Sequence, residues 1–380
     1  MSKVRYVGLD VHKDTITVAV ADAGQVPAES ICTMEHDIPK LLKVLRRLAQ
    51  GNAILHICYE AGPTGYGLYR ALTEAKFSCT VIAPSLVPTK SGDRIKTDRR
   101  DARKLAHFLR SGDLTSVWVP DQHTEAVRDL VRARDAAKRA ERVARQQLDK
   151  FLLRHGRVFS GKTKWTLEHM AWIRIQQFTF EPQQRVLADA LQTVTQGTER
   201  VRLLTEDIAK LVTAWERAPL VRELQAFRGI HLVTAAAVVA EIGDFSRFLT
   251  ARDFMGFVGL VPTERSTGKT RRLGHITKTG NQHVRRLLVE AAWHARHRPV
   301  VRPALKKRQA GVAADTIAIA WKAQQRLYRR FQDLQNAGKP AQKVVVALAR
   351  ELAGFLWAVA TQPHLQISKT PAKPGKAGKA

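Results

Sequence analysis

The 380-residue sequence predicts an α/β domain followed by a long all-α region. Short apolar, β-branched runs alternate with helical stretches over the first hundred or so residues, which is the pattern of a layered α/β fold. Two long, heavily charged stretches then carry apolar residues at partly helical spacing, and glycine-punctuated helical segments fill the remainder. The elements follow in order. From Tyr6 to Ala23 an apolar strand ends at Asp10, turns through His12, Lys13 and Asp14, and continues as a β-branched strand from Thr15 to Val20. A helix around Ile38 to Ala49 leads to a buried-type strand, Ala53 to Tyr59, which ends at Glu60. A Gly/Pro loop, a helix from Gly65 to Lys76 and a short strand from Cys79 to Ala83 follow. Thr97 is placed to cap a helix running to about Leu109, with Asp98 and Asp101 in its first turns.

The charged stretches cover about Thr124 to Arg154 and Gln183 to Trp215, and the segment between them holds Trp165 and Trp172. They predict an antiparallel helical hairpin or an oligomerising coiled coil with imperfect heptads. Val221 to Phe248 reads as helix, glycine turn, helix, glycine stop. That resembles a helix-hairpin-helix whose turn amides face a phosphate, and it reads equally as an alanine-rich packing helix. A Gly/Pro/Ser/Thr loop from Gly259 to Gly280 precedes a basic helix, Asn281 to Arg298, and further helices cover roughly Ala304 to Asn336 and Ala341 to Thr361. The predicted divisions are residues 1–115, 116–218 and 219–365, with a disordered basic tail at 366–380.

Lys and Arg number 63 against 34 Asp and Glu, giving a formal charge of +29. The excess runs along the whole chain, so it points to nucleic acid over a small acidic metabolite, with a membrane surface as the weaker alternative. No stretch approaches the roughly 20 apolar residues of a membrane span, and the N-terminus enters a strand instead of a signal peptide. A cytoplasmic, nucleoid-associated protein is expected. The three cysteines, Cys32, Cys58 and Cys79, lack paired spacing, so neither a zinc site nor a disulfide framework is predicted.

Asp10 and Glu60 each end a strand, where α/β sheets gather their ligands, and Asp98 and Asp101 share one helix face. Each alone reads as a turn, strand-end or first-turn acid. Together they read as a divalent-metal site. Arg94 to Arg110 holds seven Arg or Lys and only these two acids, so negative charge persists on an otherwise cationic surface.

The segments GLDVHKDTITVAV, YEAGPTGYGLYR and KTDRRDARKLAHFL resemble the RNase H-like, RuvC-type domain of the DEDD transposases of bacterial insertion sequences, a family also described as bridge-RNA-guided recombinases. GFVGLVPTERSTGKTRRLGHITKTGNQHVRRLL resembles that family's C-terminal domain, and the likeness covers roughly residues 4 to 361. The resemblance implies that Asp10, Glu60, Asp98 and Asp101 form the acidic tetrad around Mg²⁺ or Mn²⁺. It implies a serine that attacks DNA and holds it as a phosphoserine. Ser266 takes that place here, while family variants with the serine directly before the glycine would register on Thr267. Lys269, Arg271, Arg272, Lys278, Arg285 and Arg286 lie near enough in sequence to line a phosphate site; from Arg265 to Arg298 there are nine Arg or Lys against one acid, Glu290. The resemblance further implies donor and target DNA, a noncoding guide RNA, and a homo-oligomer, dimer or tetramer, in which one protomer's metal site meets another's serine loop. The alternative is a metal-dependent junction endonuclease that hydrolyses DNA with no covalent intermediate.

Overall fold

The computed structural model describes residues 3–88, 97–268 and 270–365. The predicted basic tail, the cations Arg94 and Lys96 that precede Thr97 in sequence, and the candidate phosphate contact Lys269 lie outside the described residues. The chain is mixed α/β at its N-terminal end and mostly helical beyond it, and it divides into two compact units, Met1–Val119 and Pro120–Ala380.

The first unit is built on a five-stranded sheet of β1 (Val4–Val11), β2 (Thr15–Asp22), β3 (Glu29–Glu35), β4 (Ile54–Glu60) and β5 (Ser78–Ile82), in the order β3-β2-β1-β4-β5. The first three strands form an antiparallel meander, and β4 and β5 join β1 in parallel through the crossover helices α1 (Ile38–Leu48) and α2 (Gly67–Glu74). β3 has no counterpart in the predicted elements. It is an exposed edge that begins and ends in Glu29 and Glu35, and charge at an edge guards against stray pairing at the cost of the apolar alternation that would reveal a strand.

Side chains of successive strand residues face opposite sides of the sheet. On one side Val7, Leu9, Ile16, Val18, Ile57 and Tyr59 form the main core with α1 and α2. On the other, α3 (Asp98–Ser111) lies across β1 and β2 on a seam of small residues, Ala19, Ala21, Ala102 and Ala106, all fully buried, with Tyr6 packed beside them and Leu105 against Cys58 and Ile82. Gly8 completes this seam. A Cβ built there would stand 2.3 Å from the Ala102 carbonyl oxygen and 2.5 Å from the Ala106 nitrogen, so helix and strand touch backbone to backbone. Thr97 caps the helix by accepting the Arg100 amide proton, and Gly112 ends it in the left-handed conformation. Gly8→Ala is therefore expected to push α3 off the sheet, costing about 1–3 kcal/mol of stability. Thermal unfolding checks the cost, and loss of divalent-ion-induced stabilisation in the same protein checks whether the acid pocket described below separates with the helix.

The second unit opens with α4 (Gln122–Arg154) and α6 (Glu181–Thr213), which pair antiparallel around the short α5 (Leu167–Arg174). Arg134 meets Thr205 and Glu141 meets Thr198, which sets the direction and the register. Leu187, Val194, Val201 and Ile208 are buried at seven-residue intervals, the period of a coiled-coil seam. The predicted stretches are thus one intramolecular hairpin. Glu141 sits buried in the seam, its carboxylate held by Lys138, Arg145 and Thr198, opposite Gly197. Burial alone would raise its pKa, and these partners hold it low.

The remaining helices are α7 (Ala218–Leu224), α8 (Leu232–Ile242), α9 (Ala251–Phe257), α10 (Gln282–Ala292), α11 (Pro303–Arg308), α12 (Ala314–Asn336) and α13 (Ala341–Ala360), and all but α11 contribute to one large core. The predicted long helix from Ala304 is two, separated at Gly311 in the left-handed conformation. The helix–turn–helix of α7 and α8 is present. Its turn glycine packs inward, where a Cβ would come within 2.7 Å of the Ala291 carbonyl oxygen of α10, and α8 is buried from Ala235 to Ile242. This setting favours the packing-helix reading over a phosphate-facing turn.

Between α9 and α10 the predicted loop is an antiparallel hairpin of β6 (Pro262–Thr267) and β7 (Thr270–Ile276). Nearly every residue of it is exposed, so its sequence carries no alternation of apolar and polar positions to mark the strands.

Candidate active site: an acidic strand end and a serine hairpin

Asp10 leaves the sheet at the C-terminal end of β1, on the face covered by α3, two positions beyond Gly8. Asp98, in the first turn of α3, arrives beside it because the glycine–alanine seam brings the helix down onto that strand. His12 closes the group, with its Nε2 3.3 Å from the Asp10 carboxylate and 3.7 Å from that of Asp98. One donor atom from each of the three lies within 4.8 Å of the others. His12 went unmarked in the sequence beyond its place in a turn; the signal was its i, i+2 spacing from Asp10, which puts the two on one face of an extended chain.

Glu60 ends β4, the parallel neighbour of β1, one step past the Leu9–Tyr59 pair, and its two-residue spacing from the buried Cys58 places it on the α3 face as well. It stands at the adjacent strand end, outside the three-residue group. Asp101 is one turn along α3, lining an open cleft with Arg100, Arg103, Lys104 and His107. Burial raises the pKa of Asp10, His12 opposes this, and the charges of Asp98 and Asp101 push it further up. A half-buried carboxylate repelled by neighbouring carboxylates is relieved by a divalent cation, and two carboxylates with an imidazole are a donor set that such a cation accepts.

In the second unit Ser266 lies exposed on β6 and donates its hydroxyl proton to Glu264 Oε1 at 2.7 Å. Arg271, paired with Ser266 across the hairpin, donates to the other oxygen of Glu264 at 2.8 Å. Thr267 is one residue on, facing the opposite side with Arg265 and Arg272. The hairpin's root is narrow. A Cβ on Gly259 would fall 2.4 Å from the Thr279 carbonyl oxygen, and one on Gly280 would fall 1.8 Å from that of Phe257. Arg285 staples the same point, donating to Val258 and Thr279 carbonyl oxygens at 2.9 and 2.7 Å. Of the candidate phosphate contacts, Arg271, Arg272 and Lys278 are exposed. Arg285 has these internal partners, and Arg286 is bound to Asp135 and Glu290.

The helix after the hairpin is anchored by a buried acid that the sequence analysis did not single out. Glu241 on α8 has a side chain 1% exposed; Arg132 of α4 grips it with two hydrogen bonds of 2.7 and 2.9 Å, and Asn281 and His283 at the start of α10 add bonds of 2.8 and 3.4 Å. Burial pushes its pKa up, and the bonds from His283, Arg132 and Asn281 with the Arg132 charge outweigh that and hold it far below the usual carboxylate range.

Carboxylates gathered at neighbouring strand ends under a cationic helix suit a nucleic-acid phosphodiester enzyme, and comparison with known proteins gives that class a name: transposase. A family profile described as "Transposase", of the DEDD type, matches residues 7–156, and one described as "Transposase IS116/IS110/IS902 family" matches residues 221–307. The chain is 43% identical over 364 residues, 96% of its own length and 90% of the relative's, to y4qE of Sinorhizobium fredii, which carries a transposase name. It is 33% identical over 344 residues, 89% of its own length and 99% of the relative's, to the transposase for insertion sequence element IS1533 of Leptospira borgpetersenii. The chain belongs to the IS110/IS116/IS902 family of insertion-sequence transposases, and is a DNA-cutting and recombining enzyme. A DEDD-type domain implies dependence on a divalent metal. Among the described residues no helix is long and apolar enough to cross a membrane.

Proposed function

We propose that the protein cleaves and rejoins DNA at the ends of its insertion sequence through an RNase H-like acidic site and the serine hairpin. The observation that carries this is the meeting of Asp10, His12 and Asp98 at the end of β1. The sheet order, an antiparallel meander followed by parallel strands, supports the RNase H-like, RuvC-type reading of residues 1–115. In this reading Asp10 and Asp98 hold Mg²⁺ or Mn²⁺, with Glu60 at the neighbouring strand end and Asp101 one helical turn away completing the acidic set. A bound ion would supply Lewis-acid polarisation of a phosphate oxygen.

The protein's own groups do the rest. Ser266 attacks the scissile phosphorus and keeps the cut strand as a phosphoserine, so the energy of the phosphodiester is retained for rejoining. Its contact with Glu264 favours it over Thr267. Arg271, Arg272 and Lys278 are exposed cations on or beside the hairpin that would stabilise charge on the phosphoryl oxygens, and Lys269 is a further candidate by sequence; Arg285 and Arg286 fix the hairpin's root and the helix after it. Residues 116–218 form the oligomerisation and RNA-binding region and 219–365 the serine domain, in a dimer or tetramer guided by a noncoding RNA on donor and target DNA. The charge of +29 supports a polyanionic assembly of this kind.

Incubating the purified nucleoprotein complex with Mg²⁺ and a nicked duplex carrying the element's end should leave DNA attached to the protein. Mass spectrometry of the nuclease-trimmed adduct is expected to place the modification on Ser266. Cleavage with only free DNA ends would sink the serine reading and favour hydrolysis by water.

A further inference from the structure

We infer that Glu264 is the proton acceptor for Ser266, and that Arg271 orients it for that task. This deepens the proposed function and rests on Ser266 being the nucleophile. The geometry is complete on one face of the hairpin. Glu264 and Ser266 are two apart on β6 and share a side of the strand; the hydroxyl donates to Oε1 at 2.7 Å, and Arg271, directly across from Ser266, fixes Oε2 at 2.8 Å. A nucleophile held by an acceptor that a third group orients is the arrangement that activates hydroxyls generally. Ser266 and Arg271 are the groups that bear on Glu264 from the two strands of the hairpin.

The step balances without an outside reagent other than water. Ser266 Oγ forms a bond to phosphorus as its proton passes to Glu264 Oε1. The bond from phosphorus to the leaving deoxyribose oxygen breaks, and that oxygen takes a proton from solvent. Rejoining reverses each transfer: a deoxyribose hydroxyl attacks the phosphoserine phosphorus and gives its proton to solvent, the bond from phosphorus to Oγ breaks, and Oγ takes a proton through Glu264.

The ion pair with Arg271, then the bond from Ser266, hold the Glu264 carboxylate below its ordinary pKa, which makes it a weak base at rest. A phosphate arriving at Ser266 competes for the Arg271 guanidinium, since arginine binds either anion with the same fork. As the guanidinium is shared with the phosphate it keeps its bond to Glu264 Oε2 while less of its charge falls on the carboxylate, which regains basicity. The hydroxyl is thereby activated only when there is a phosphate to attack.

The test measures the rate of covalent protein–DNA adduct formation on a nicked duplex carrying the element's end, for wild type, Glu264→Gln and Ser266→Ala as full nucleoprotein complexes, between pH 6.5 and 9. Glutamine keeps an oxygen to accept the serine hydrogen bond and removes the basicity. The wild-type rate is expected to be nearly flat with pH. Glu264→Gln should be about 100-fold slower at neutral pH, the lower end of what a positioned base contributes, and should recover steeply as hydroxide replaces the missing acceptor. A hairpin merely disordered by the substitution gives no such recovery, so a Glu264→Gln protein that stays slow at every pH overturns the assignment. A Glu264→Gln rate and profile equal to wild type, with Ser266→Ala inactive, overturns this inference and leaves the serine reading standing. Adducts formed at the wild-type rate by Ser266→Ala overturn both.

Discussion

Asp10→Ala is expected to lower strand cleavage by about three orders of magnitude while leaving the protein as heat-stable as before, or more so. The first half follows from its position. Asp10 is the residue of the pocket that both His12 and the helix carboxylates face, and a polarising ion anchored there is worth several kcal/mol in the transition state, at about 1.4 kcal/mol per factor of ten. The second half follows from the same geometry read as a stability term. The carboxylate is half-buried and repelled by Asp98 and Asp101, so its removal relieves the folded state; sites that carry such strain trade stability for activity. The distinguishing measurement is thermal unfolding with and without Mg²⁺. Wild type should gain stability as the ion binds, and Asp10→Ala should not. Cleavage at the wild-type rate by the alanine protein would remove the acid pocket from the reaction.

Glu241→Ala should cost about 3–5 kcal/mol, because it strands charge in the interior in place of removing an isolated pair. Arg132, Arg128, Asn281 and His283 all turn toward this one carboxylate, and they come from α4 and from the first turns of α10. The helix hairpin, the buried α8 and the helix that follows the serine strands meet at that point. The pH dependence has a definite sign. A carboxyl whose folded pKa is depressed binds fewer protons folded than unfolded, so its contribution is complete above the unfolded value of roughly 4.3 and declines as pH falls below it. Wild type should therefore lose stability on acidification through that range, and Glu241→Gln should show a shallower decline from a lower starting point. Urea unfolding at several pH values reads both. A parallel pair of curves would mean that the network carries no net coupling.

Much of the acidic site was legible because its residues end regular elements. A strand that stops at Asp10, another that stops at Glu60 and a helix capped at Thr97 are local patterns, and the sheet edge that unites them follows from how α/β chains alternate. What was not legible depended on tertiary approach. Gly8 matters through the helix resting on it, a contact separated by nearly a hundred residues, and His12 becomes a ligand candidate only once Asp98 is beside it. Glu241 reads in sequence as one polar interruption in an alanine–valine helix; its four partners come from two other segments. The serine hairpin was invisible for the opposite reason, that it has almost no tertiary environment. Its strands bury little beyond Ile276 at their foot, so the pattern that betrays most strands was never required of them. The Glu264–Ser266–Arg271 contact is in turn a product of that hairpin's register and could not be drawn from a loop.

That bareness has an energetic meaning. Apart from Ile276 at its foot the hairpin shelters no apolar side chain, so in the proposed exchange between protomers it would leave almost nothing uncovered behind it, and its legs stay clasped at Gly259, Gly280 and Arg285. On that proposal the molecule would lend out its hydroxyl without loosening itself.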